Sequence, residues 1–224
     1  MKILGLILAR AGSKRLKNKN IINLGKKKLI EHTIDFIKKI PNIHICVSTD
    51  SKKIAKVAIK NNIIVPWLRP KKYSKDNSSS AAAALHALKC YEKKYGKFDA
   101  IALFQPTTPF RNFNVIKKTL DDFKKDKNKN YVSVSEANVN LNNIFINKNN
   151  KTKKIKLKKP NSFIKNYKNK LYRLNGSFYI ISPNEFKRTK SFITENSIGV
   201  ILKNKKEQID IDTISDLKNA RSYL

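Results

Sequence analysis

The residues best suited to chemistry come early, in Arg10-Ala11-Gly12-Ser13-Lys14-Arg15-Leu16-Lys17-Asn18-Lys19-Asn20, directly after the apolar run Ile3 to Leu8. An apolar run of this length reads as a buried strand. The small Ala-Gly-Ser step lets backbone N–H groups approach a phosphate chain, while Arg10, Lys14 and Lys19 neutralise its charge. The spacing is neither that of a Walker loop nor the Gly-x-Gly-x-x-Gly of dinucleotide folds. Near the other end lies Gln208-Ile209-Asp210-Ile211-Asp212-Thr213. Residues two apart in an extended segment face the same side, so Asp210 and Asp212 suit one hard cation, with triphosphate oxygens completing an octahedral Mg²⁺ site. Asp212 also precedes a helical pattern, where it would serve equally as an N-cap.

Two stretches between these add polar groups. Phe104-Gln105-Pro106-Thr107-Thr108-Pro109-Phe110-Arg111 confines a loop between prolines, and Gln105 can present donor and acceptor together to a sugar's hydroxyl or N-acyl groups. Arg111 reads two ways, as a ligand for the sugar or as a tie from the loop to a carboxylate. Leu68-Arg69-Pro70 followed by Ser74-Lys75-Asp76-Asn77-Ser78-Ser79-Ser80 precedes a helix, and one of these Ser, Asn or Asp residues is expected to cap it.

The elements that must carry these groups alternate. Strands are expected at Ile3–Ala9, Ile43–Ser48, Ile63–Val65, Ala100–Phe104, Tyr131–Ser135, Ser177–Ile181 and Ile198–Leu202. Helices are expected at Leu29–Ile40, Lys52–Asn61, Ser78–Tyr91, Asn114–Lys125 and Ile214–Tyr223. Alternation of this kind implies an α/β fold with a mostly parallel, doubly wound sheet, whose ligands sit beyond the carboxyl ends of the strands. Between about Asn138 and Tyr172 the alternation lapses into a Lys/Asn-rich stretch.

Composition bounds the class. At 224 residues and 40% hydrophobic, the chain reads as one domain, 1–224, with no run near the roughly 20 apolar residues of a membrane span. No signal-peptide pattern is expected at the start. Two cysteines, Cys46 and Cys90, are too few for a disulfide framework and read as buried apolar residues in a reducing cytoplasm. His32, His44 and His86 are scattered and read as structural. The net charge of +33 raises nucleic-acid binding as a rival function. The lysines are nevertheless spread over nearly every expected helix face and loop, and aromatics interleave with them only around Phe163, Tyr167 and Tyr172.

Taken in order, these motifs resemble those of the acylneuraminate cytidylyltransferases (CMP-sialic acid synthetases, with the CMP-legionaminate synthetases among them). The resemblance implies a Rossmann-like nucleotidyltransferase fold, a homodimer built on an extension at 138–172, and CTP plus an acidic nine-carbon sugar as substrates. It places Arg10, Ala11, Gly12, Ser13, Lys14, Lys19 and Asn20 on the nucleotide, with Arg10 and Lys19 neutralising the phosphates. Arg69 and Ser78, with Asp76, would help hold the cytidine and sugar. Gln105, Arg111, Asn175 and Tyr179 would form the sugar pocket, the last two within Asn175-Gly176-Ser177-Phe178-Tyr179, whose Asn-Gly reads as a turn. Lys165 stands where the family has an Arg that reaches a partner's substrate carboxylate, and Arg173 is the alternative for that role. Asp210 and Asp212 would hold Mg²⁺, or Mn²⁺ in its place. Asp50 matches the family's Ser-Thr-Asp, with helix capping the favoured reading. The same chemistry on 3-deoxy-manno-octulosonate or pseudaminate stands as the nearer alternative.

Overall fold

In the computed structural model, residues 1–137 and 171–224 are described, together with the backbone of 145–148 and 151–154. The elements in chain order are β1 (Ile3–Leu8), β2 (Asn23–Leu24), β3 (Lys27–Lys28), α1 (Leu29–Ile37), β4 (Ile43–Ser48), α2 (Lys52–Lys60), α3 (Ser80–Tyr95), β5 (Ala100–Leu103), α4 (Phe113–Lys125), β6 (Asn130–Glu136), β7 (Phe145–Lys148), β8 (Lys151–Lys154), β9 (Tyr172–Ile181), α5 (Pro183–Thr189), β10 (Ser197–Ile201) and α6 (Ile214–Arg221). The main sheet has six strands in the order β10-β6-β9-β5-β1-β4. All run parallel except β9, which pairs antiparallel with both β5 and β6.

β1 is apolar on both faces because both faces are covered. On one side Ile30 and Ile34 of α1, Ile54 and Val57 of α2, and Ile116, Leu120 and Phe123 of α4 pack on the sheet. On the other, Ala84, Leu88 and Tyr91 of α3 and Phe186 of α5 meet Leu4, Leu6 and Leu103. The Ala-rich start of α3 lets that helix lie close to the sheet, since small side chains keep the axes near. The helices begin where side chains take up their first free amides: Ser51 caps α2, Ser79 caps α3, Asn112 caps α4 and Thr213 caps α6, the last in a reciprocal box with Asp216.

Three expectations are corrected. Ile63–Val65 forms no strand: the Ile63 N–H bonds the Ala58 carbonyl, and the Ile64 carbonyl accepts from the Tyr91 hydroxyl. α5 was not anticipated, although Ser182-Pro183 with Glu185 is a start signal, Ser182 Oγ accepting from the Glu185 N–H. Asn175-Gly176 is not a connecting turn but lies inside β9, at a bulge where the β6–β9 register shifts between Val132 and Val134. There Ser133 fills the gap in the ladder. Its hydroxyl accepts from the Phe178 N–H at 3.0 Å and lies 3.1 Å from the Phe178 carbonyl, to which it donates. The dimerisation extension expected at 138–172 lies largely outside the described residues, which include only the antiparallel backbone pair β7–β8 and residues 171–172 of it.

Gly176 is dictated by position. Its φ is +78°, and a Cβ there would lie 2.3 Å from Gln105 Oε1. Gly12, by contrast, would place a Cβ in open space. Gly176→Ala should therefore destabilise the fold by about 2 kcal/mol or more, lowering Tm by roughly 4–8 °C, whereas Gly12→Ala should leave Tm nearly unchanged. Thermal unfolding of the two variants side by side checks this.

Candidate active site

The loop after β1 and the loop after β5 meet over the carboxyl ends of the parallel strands, around a cleft of about 560 Å³. Its walls include Arg10, Ser13, Lys14, Lys19 and Asn20 on one side, Gln105 and Thr107 on another, and Asp210 and Asp212 on a third. The three groups come from chain segments far apart in sequence, and the sheet brings them together.

The first loop is shaped by its neighbours. The Ala9 N–H still bonds Ser48 O of the β4 strand at 3.1 Å, after which the chain turns away. The Ala11 N–H donates to Asp50 Oδ1 at 2.9 Å, and the Ser13 N–H donates to Ala11 O at 3.0 Å. The amide of Asn20, only 6% exposed, donates to Arg10 O at 3.0 Å. Leu16 anchors the far arm of the loop in a third apolar cluster with Leu24, Leu29, Ile209 and Ile211. Two of the loop amides expected to cradle phosphate are thus already used within the protein. Asp50 orders the loop, and the capping of α2 falls to Ser51.

The carboxylates follow from strict alternation. Ile209 and Ile211 are buried in that third cluster, so Asp210 and Asp212 are turned to the cleft. Asp212 Oδ1 meets Lys19 Nζ and Oδ2 meets Arg15 Nη2, both at 2.5 Å. Asp212 is not the helix cap, since Thr213 takes that role. Asp210 is exposed to the cleft. Desolvation raises its pKa first, Asp212 adds to the rise, and a hydrogen bond from the Thr107 side chain with the charge of Lys19 offsets part of it. The Thr107 carbonyl also accepts the Ile211 N–H at 2.8 Å, tying the loop after β5 to this segment.

Asp76 reaches across from the segment before α3, its oxygens holding Arg10 at 2.5 Å and Lys14 at 2.6 Å. Arg69 is 5% exposed, its Nε donating to Ser74 Oγ at 3.1 Å and its N–H to Thr49 O at 2.7 Å. Burial lowers the Arg69 pKa, and the Asp50 charge opposes that shift. Ser78 donates to the Lys72 carbonyl at 3.0 Å. Arg69, Ser78 and Tyr73 line a smaller cavity of about 270 Å³ that shares Arg10, Asp76 and Ser80 with the cleft.

Several expected sugar ligands do other work. Arg111 donates to Ser177 O, Thr33 Oγ1, Gln105 O and Thr108 Oγ1 at 2.6–3.2 Å, and its guanidinium lies over the rings of Phe36 and Phe104. It ties the loop to β9 and α1 through neutral oxygens, not to a carboxylate, and burial lowers its pKa. Asn175 is buried, bonding Ser135 Oγ at 2.8 Å and accepting the Ser177 N–H at 3.1 Å, so its amide holds the bulge. Tyr179 packs its ring 5.8 Å from Phe192 in the core, where burial first and the Asp210 charge second raise its pKa. Arg173 is exposed and lines a neighbouring hollow with Arg15, Asp210 and Asp212. Lys165 lies outside the described residues. Arg15 and Thr107 were passed over in the sequence; Arg15 stood out there only as one more cation in a basic loop, and Thr107 only by its place between two prolines. Cys46 is buried, whereas Cys90 is only half-buried.

If Arg111 is a tie rather than a ligand, its loss should appear in stability. Arg111→Met leaves the acceptors unsatisfied and should cost about 2–4 kcal/mol, seen as a drop in the urea midpoint, and Arg111→Lys should recover only part of it. A variant of normal stability with a raised sugar KM would reverse the assignment.

The family model for cytidylyltransferases matches residues 4–223. The CMP-N,N'-diacetyllegionaminic acid synthase of Legionella pneumophila is 37% identical, over 96% of this chain and 93% of that one. The pseudaminic acid cytidylyltransferase of Campylobacter jejuni is 29% identical, over 99% and 95%. The N-acylneuraminate cytidylyltransferase of Escherichia coli is also 29% identical, over 98% of this chain but 51% of its own length. Among solved structures, a CMP:2-keto-3-deoxy-manno-octonic acid synthetase complexed with CTP superimposes with a TM-score of 0.71 at 13% identity, covering 100% of this chain and 98% of that one. A basic loop beyond β1, paired carboxylates on the facing segment and a family match along nearly the whole chain agree: the chain belongs to the cytidylyltransferase family and is a nucleotidyltransferase.

Proposed function

We propose that this enzyme transfers CMP from CTP to an acidic nine-carbon sugar, with legionaminic acid the favoured substrate and sialic or pseudaminic acid its nearest competitors. The observation that carries the reading is the cleft itself, which Arg10 and Lys14 line together with Asp210 and the Lys19–Asp212 pair, around a space bounded by Gln105. The legionaminate relative, at 37% identity, supports the choice of sugar.

In this reading the sugar's anomeric hydroxyl attacks the α-phosphorus. The new O–P bond forms as the bond from the α-phosphorus to the oxygen bridging the α- and β-phosphates breaks, pyrophosphate leaves with that electron pair, and the hydroxyl proton is released to solvent. Such a reaction depends on positioning and charge neutralisation more than on covalent chemistry by the protein. Arg10 and Lys14 bind the polyphosphate. Lys19, held against Asp212 with its side chain 15% exposed, is aimed into the cleft and stabilises charge on the departing pyrophosphate. Gln105, packed close over Gly176, offers its amide to the sugar. Arg69 and Ser78 shape the side cavity for the nucleoside.

The donor chemistry of Asp210 and Asp212 suits a magnesium ion, which would take the Asp212 oxygens from Lys19 and Arg15. The two carboxylates are hard oxygen donors two residues apart on one cleft wall, and the raised pKa of Asp210 marks a carboxyl whose charge a cation would stabilise. When bound, the ion would neutralise phosphate charge and help align the chain for displacement. We further place the working enzyme in the cytoplasm as a homodimer, with 138–172 as the extension that joins two otherwise single-domain protomers and Lys165 or Arg173 near the sugar carboxylate.

Pyrophosphate release from CTP, measured against a panel of nonulosonic acids and 3-deoxy-manno-octulosonate, tests the assignment. Legionaminic acid should give the highest kcat/KM, and no release with any acidic sugar would refute the function. Lys19→Ala should lower kcat about 100-fold or more with its fold retained. A chelator should abolish turnover, with Mg²⁺ or Mn²⁺ restoring it, and Asp210→Asn should raise the metal requirement. Turnover that persists in the chelator would remove the metal from the site.

A further inference from the structure

The cleft cations do not stand alone. Arg10 and Lys14 each take one oxygen of Asp76, at 2.5 and 2.6 Å, while Lys19 and Arg15 each take one oxygen of Asp212. The two clusters differ in exposure. The Lys19–Asp212 pair is 15% and 31% exposed, with Arg15 at its outer edge 70% exposed, whereas Arg10, Lys14 and Asp76 are 36%, 78% and 48% exposed. Ion pairs as open as those of Asp76 are weak and readily exchanged. Cations gathered without a counter-ion repel one another, and the Arg10 charge already acts on buried Arg69.

The geometry points to Asp76 as an exchangeable counter-ion that competes with the polyphosphate for Arg10 and Lys14. This rests on the reading of the loop as the phosphate site and gives Asp76 a role opposite to that of a ligand. A polyphosphate reaching the two cations takes the place of the Asp76 oxygens, and Asp76 recaptures them as pyrophosphate departs. The carboxylate thereby weakens binding of substrate and product alike and speeds product release.

Asp76 touches the loop through the Arg10 and Lys14 side chains, while other groups hold the loop backbone. The Arg10 carbonyl is held by Asn20 and the Ala11 amide by Asp50. Removing the Asp76 charge therefore frees the cations without unfolding the loop that presents them. This decides the sign: competition is lost while preorganisation stays.

Calorimetric titration of the full chain with CTP and with inorganic tripolyphosphate, without metal, tests the proposal. Asp76→Asn should bind both about threefold to tenfold more tightly, the scale set by two exposed ion pairs, and pyrophosphate should inhibit it more strongly. Asp76→Glu, which keeps the charge, should stay near wild type. Asp76→Ser, followed by circular dichroism, guards against an effect peculiar to the amide and should match Asp76→Asn. Unchanged or weaker binding in Asp76→Asn and Asp76→Ser would overturn the proposal, the latter making Asp76 a ligand. If the wild type turns over no CTP yet tripolyphosphate still binds more tightly to Asp76→Asn, the function fails and the counter-ion role stands.

Discussion

A buried guanidinium with only neutral partners organises this site. Arg111 gathers the carbonyls of Gln105 and Ser177 and the hydroxyls of Thr33 and Thr108, which belong to the loop after β5, the bulge of β9 and helix α1. A charge so placed must have its donors satisfied, because each one left without a partner costs about 1–3 kcal/mol or more. The arrangement therefore tolerates little change in the relative position of these three elements. Through it the loop is held where Thr107 meets Asp210 and Ile211, so the carboxylate wall of the cleft depends on an arginine that is not part of that wall.

The bulge in β9 is the partner of that constraint. An antiparallel strand set among parallel ones joins the β4-β1-β5 half of the sheet to the β6-β10 half. Ser133 and Asn175 satisfy the backbone and side-chain groups that the irregular register would otherwise leave free. Gly176 then lets Gln105 lie directly against the strand. One local distortion thus leaves room for a side chain of the cleft, and its cost is offset by hydrogen bonds within the same few residues.

The electrostatics of the cleft are more balanced than the net charge of +33 suggests. The cations nearest the proposed phosphate site share two aspartates in a chain with few acidic residues, while most other lysines among the described residues are exposed, their charge screened by water. The global excess favours the approach of an anion, and the local pairing governs how tightly it is held.

Much of this was legible in the chain. Local hydrophobic period placed β1, β4, β5 and every helix but α5 within a few residues, and the order of the basic loop, the Pro-bounded loop and the Asp-x-Asp segment identified the family. Alternation alone turned Asp210 and Asp212 to one side, because Ile209 and Ile211 needed a core. The sequence could not show which polar residues would meet ligand and which would meet protein. Arg111, Asn175 and Tyr179 sit in motifs that the family resemblance alone assigns to a sugar pocket, and their side chains are engaged within the protein. That outcome depends on which distant oxygens and rings the folded sheet brings within hydrogen-bond or packing distance, and partners such as Thr33 for Arg111 leave no local periodicity to read. Element type was decided by nearest neighbours in sequence. The division of polar groups between structure and cleft was decided by contacts across the fold, where satisfying buried donors and acceptors takes precedence over motif.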